Sequence, residues 1–74
     1  MSLYSTTVRM LHSGLVLHDF KTRSDPADAR VRHDQLVDEM MGVVRGTQTG
    51  EWREGCYRST IFVSNRPLIE VTTA

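Results

Sequence analysis

The sequence predicts an α+β domain, one amphipathic helix lying on an antiparallel sheet, and three observations carry that expectation. Period-two runs rich in Val, Thr, Tyr and Ile occupy both ends of the chain. A three- and four-residue apolar repeat occupies the middle. Turn residues, Ser-Gly at 13–14 and Ser-Asn-Arg-Pro at 64–67, divide the end runs into pairs. The expected plan is ββαββ, two hairpins forming a four-stranded antiparallel sheet with the helix packed across it, in a single domain spanning residues 1–74.

In chain order, residues 3–12 read as a strand with Tyr4, Thr6, Val8 and Met10 on one side. Gly14 supplies the turn, since it takes positive φ without steric cost, and LVLHDFKT resumes a strand pattern. Asp25-Pro26 then opens a helix. Asp25 suits the N-cap, and the N–H that proline lacks is one the first turn leaves unbonded. Asp28 places negative charge near the positive dipole end. Ala29, His33, Leu36, Val37, Met40 and Val44 make the apolar face. Gly46 is the expected stop, and Gly42, which costs about 1 kcal/mol relative to Ala, suggests close approach to the sheet. TQTG at 47–50 reads as a loop and EWREGCYRSTIFV at 51–63 as one strand. Neither face of that strand is apolar throughout, so a bulge is expected at Gly55. LIEVTT closes the second hairpin with Ile69 and Val71 facing inward.

Seventy-four residues bury only about 60% of their unfolded surface, so the core is thin and self-association is a natural support. A lone Cys56 forms no internal bridge and suits a reducing compartment. With no apolar run near the roughly 18 residues of a membrane span and no signal-peptide pattern, a cytoplasmic location is expected. Net charge is zero but unevenly placed. Residues 24–44 carry two arginines against five carboxylates, net −3, and the remainder carries seven basic against four acidic residues, net +3. Eight of the nine basic residues are arginine, suited to forked hydrogen bonds at interfaces.

Catalytic and metal chemistry find little support. Cys56 is expected in mid-strand, away from a helix start or an oriented base, and reads as packing. His12, His18 and His33 have no closed chelate spacing, so no metal or other cofactor is expected. His33, on the apolar helix face, reads as partly buried with one ring nitrogen satisfied. Asp34 and Asp38, one helical turn apart, with Glu39 beside them, form an acidic stripe that a basic partner would recognise. Arg53, Arg58 and Arg66 are the arginines expected to contact a partner. Met41 lies about 100° round the helix from Met40, which places it at a boundary suited to a homodimer contact.

These features favour a non-enzymatic protein–protein interaction module whose partner is a protein, a nucleoprotein complex being one candidate. Phage and mobile-element inhibitors of host machines, anti-CRISPR proteins among them, are chains of this kind, a likeness of size and composition alone. The alternative is a small nucleic-acid-binding regulator that holds phosphates with arginines on the sheet and stacks bases on Tyr4, Trp52, Tyr57 or Phe62.

Overall fold

A computed structural model describes residues 2–53 and 56–74, leaving aside the side chains of 51–53. The elements are β1 (Ser2–Met10), β2 (Val16–Ser24), α1 (Pro26–Val44), β3 (Thr47–Arg53), β4 (Cys56–Val63) and β5 (Arg66–Thr73). The class is α+β, as expected, but the sheet has five antiparallel strands rather than four, in the order β2-β1-β5-β4-β3. The fifth strand comes from dividing the run read as one strand. Arg53 pairs with Cys56 and Thr47 with Phe62, so 47–53 folds back on β4 and the residues read as a loop become an edge strand. Two β-branched threonines in TQTG favour that state. The missing apolar continuity in 51–63 marked a reversal of the chain, and the bulge expected at Gly55 lies outside the described residues.

The last strand is central. β5 lies between β1 and β4, and it is locked to the N-terminal hairpin by reciprocal backbone bonds. The Ser5 N–H donates to the Ala74 carbonyl at 2.9 Å and the Ala74 N–H to the Ser5 carbonyl at 3.0 Å. β4 turns into β5 through Ser64 and Asn65, both at positive φ (53° and 64°), the pattern of a type I′ hairpin turn.

α1 starts where Asp25-Pro26 indicates. Asp25 is the N-cap in extended conformation, and its carbonyl accepts from the Ala29 N–H at 3.0 Å, while its side chain makes no capping bond. The helix lies over β5, β4 and β1. Val37 and Met40 meet Val8, Ile61, Ile69 and Val71 in the apolar core, with Leu36 and Val44 at its margin.

The helix end corrects the reading of two glycines. Arg45, not Gly46, takes the left-handed C-cap (φ 53°), with its N–H donating to the Met41 carbonyl at 2.8 Å. It is also Gly46, not Gly42, that approaches the sheet. A Cβ on Gly46 would overlap the Phe62 carbonyl and sit 2.9 Å from Ile61 Cγ2, whereas one on Gly42 meets nothing within 4 Å. Opposite signs follow. Gly42→Ala stabilises the fold by up to about 1 kcal/mol through helix propensity, and Gly46→Ala destabilises it by roughly 1–3 kcal/mol through overpacking. Urea denaturation of the two variants checks both signs.

Candidate functional site

Three strands each turn a small polar residue toward the helix, Thr6 from β1, Ser59 from β4 and Thr73 from β5, and all three are buried. His33 descends among them from α1 and is fully buried. Its Nδ1 lies 2.8 Å from Thr73 Oγ1 and its Nε2 2.8 Å from Ser59 Oγ, so both ring nitrogens are bonded rather than one. Thr73 Oγ1 is also 3.0 Å from Thr6 Oγ1. A neutral imidazole donates from one nitrogen and accepts at the other, and the hydroxyls rotate to complete the chain in either tautomer. The Tyr57 ring closes the cluster edge-on, with centroids 4.1 Å apart, and the Arg30 guanidinium stands 5.6 Å from the Tyr57 centroid.

Serine beside histidine suggests nucleophilic chemistry, but the surroundings differ from that use. Ser59 is 1% exposed, and the second ring nitrogen meets a threonine rather than the carboxylate that would stabilise an imidazolium. Burial pushes the His33 pKa down from 6.5 to about 4, only partly opposed by the nearby Asp34 carboxylate. The group therefore stays neutral and joins the helix to β4 and β5.

The accessible candidates divide between two surfaces. Beside α1, where β3 extends past the helix, Asp34 and Asp38 line an open groove of about 410 Å³ with Gln48, Gly50 and Tyr57. Glu39 is exposed on the same helix but does not line this groove. On the opposite face of the sheet, left uncovered by the helix, Arg58 borders two shallow hollows. One, of about 270 Å³, includes Thr7, Arg9, Glu70 and Thr72; the other, of about 140 Å³, includes Thr49, Gly50 and Thr60. Arg58 Nε is 3.8 Å from Glu70 Oε2. Arg66 opens β5 at the hairpin turn and is exposed, and the Arg53 side chain lies outside the described set. The stripe and the arginines thus do not form one patch. Arg9 joins Arg58 without having been singled out, although the Thr7-Val8-Arg9 alternation placed it on the outer face.

The remaining candidates separate as follows. Met41 is half-buried at the margin of the core. His12 lies in the first turn, and His18 pairs with Val8. Among the described residues no three metal-ligating side chains cluster, and no helix is long and apolar enough to cross a membrane. Cys56 is the half-buried first residue of β4, not a mid-strand residue. Tyr4 is buried and Tyr57 packs on His33, which removes two of the four proposed base-stacking rings from the open face. Compared with protein-family models, curated proteins and solved structures, the chain has no match.

The His33 shift fixes a pH dependence. Its folded pKa lies below its unfolded value, so the unfolded chain takes up a proton first, and stability present above pH 6.5 falls as the pH drops toward about 4. The shift corresponds to a loss on the order of 3 kcal/mol. Urea denaturation at intervals between pH 7 and pH 4 measures that slope, and His33→Gln removes this share of it.

Proposed function

We propose that the protein is a non-enzymatic protein–protein interaction module that receives a basic segment of its partner in the groove between α1 and β3. The observation carrying this reading is the pairing of Asp34 and Asp38 on the wall of an open groove that also offers Gln48 and Tyr57. Two carboxylates one helical turn apart attract an arginine or lysine side chain, and the Gln48 amide adds hydrogen-bonding capacity. The burial of Ser59 and His33 supports the same reading, because the imidazole–hydroxyl array has no opening to a substrate. In this view the protein acts in the cytoplasm by occupying a surface on a macromolecular machine, as small phage and mobile-element inhibitors do. That last link rests on size and composition alone.

A second reading has its own observation. Arg9 and Arg58 stand with Thr7, Thr60 and Thr72 on the uncovered sheet face, where guanidinium and hydroxyl groups suit phosphates. Binding of this kind would use the backbone of a nucleic acid rather than base stacking, and it would weaken steeply with salt.

One experiment separates the two. Pull-down from a bacterial lysate at low and moderate salt is expected to retain a specific protein that Asp34→Lys with Asp38→Lys releases and Arg58→Glu leaves bound. Specific retention of no protein removes the interaction reading. An oligonucleotide shift that Arg58→Glu abolishes, fading between about 50 and 200 mM salt, establishes the second.

A further inference from the structure

β2 is an outermost strand of the sheet, nine residues long and without proline; its register against β1 is unbroken from His18 to Ser24, and the one irregularity lies at its Val16–Leu17 end, outside the stretch around Phe20. A long edge strand invites another strand unless a bulge, proline or unmatched charge blocks it. Phe20, opposite the helix-side residue Thr6, is 36% exposed because α1 lies over β1, β5 and β4 and leaves β2 uncovered.

The direction of the free backbone groups follows from the register. Ser5 spends its N–H and carbonyl on Ala74 in the direction of β5, so its neighbour Thr6 turns its own groups toward β2, opposite Phe20. Phe20 therefore bonds inward, and Asp19 and Lys21, on either side of it, present their N–H and carbonyl groups outward. These two side chains lie on the open face of the sheet, opposite in charge and symmetric about Phe20.

We propose that β2 pairs antiparallel with β2 of a second copy of the chain, about a two-fold axis through Phe20, joining the two sheets into one. In this register Asp19 stands opposite the second copy's Lys21, and Lys21 opposite its Asp19. Both pairs join residues whose backbone groups point outward, so each exchanges two backbone hydrogen bonds and adds a cross-strand ion pair. Phe20 meets its own counterpart in the closer, non-hydrogen-bonded spacing, on the side the helix leaves bare. Sliding the strands by two residues places Asp19 against Asp19 or Lys21 against Lys21, which like charge disfavours. The charge pattern thus selects one register, and that register is self-complementary as a two-fold contact requires. The surface lies at the edge of the sheet opposite the groove beside β3, so it stands or falls independently of the partner reading.

Sedimentation equilibrium of the full chain across about 5–200 μM, a range suited to a small interface, is expected to show a monomer–dimer equilibrium. Asp19→Lys alone and Lys21→Asp alone each raise the dimer Kd by roughly tenfold or more, and the combined exchange restores it. With Cys56→Ser as background, Phe20→Cys is expected to give an intermolecular disulfide under oxidation, a readout that leaves the charges intact. A single-chain mass throughout overturns the proposal. So does a dimer indifferent to both single exchanges, a combined exchange that fails to restore association, or the absence of the disulfide in a variant that sediments as a dimer.

Discussion

The position of His33 between Thr73 and Ser59 is the constraint on which the rest of the molecule depends. The apolar core is small, built chiefly from Val8, Val37, Met40, Ile61, Ile69 and Val71. Such side chains tolerate several rotations of a helix over a sheet, since hydrophobic contact has little directionality. An imidazole with both nitrogens buried has no such freedom. Leaving one of them unbonded costs about 1–3 kcal/mol, a large share of the stability a domain of this size has. The 2.8 Å contacts on each side of the ring are met at one height and one rotation of α1, so the polar cluster fixes what the apolar residues leave loose.

Once α1 is fixed there, it covers the middle of the sheet and leaves both edges bare. β5, β4 and β1 lie beneath it, while β2 and β3 extend to either side. On the β3 side the gap becomes the groove walled by Asp34 and Asp38. On the β2 side it leaves Phe20 and its neighbours in solvent. One helix on five strands thus produces two unlike surfaces, an acidic recess and an apolar edge with alternating charge. The far face, with Arg9 and Arg58, is a third.

The central place of β5 gives the fold a non-local character. Its strand pairings reach from Thr6 to Thr73 and from Tyr57 to Thr73, and two members of the His33 cluster come from opposite ends of the chain. Both the sheet and the polar cluster are therefore completed by the last residues of the chain. Thr73 bonds His33 while sitting between β1 and β4, so a single residue ties the helix to both hairpins.

The sequence by itself determined every element whose cause is local. The inward residues of β1 and β5, the first hairpin turn, the Asp25-Pro26 helix start and the apolar face from Ala29 to Val44 all follow from period, cap and turn chemistry. So does the acidic character of the outer helix. The division of residues 47–63 into two strands was legible only as a lack of apolar continuity, because the strand pattern on either side dominates the local signal. Tertiary structure alone decided the strand order, the closeness of Gly46 to β4 and the gathering of Thr6, Ser59 and Thr73 around His33. It also decided that Asp34 and Asp38 face a groove while Arg58 lies on the other side of the sheet. The physical reason is the same throughout. Period and propensity report which side of its own strand or helix a residue occupies, whereas a site is made of residues from several elements, and only packing decides which of those elements meet.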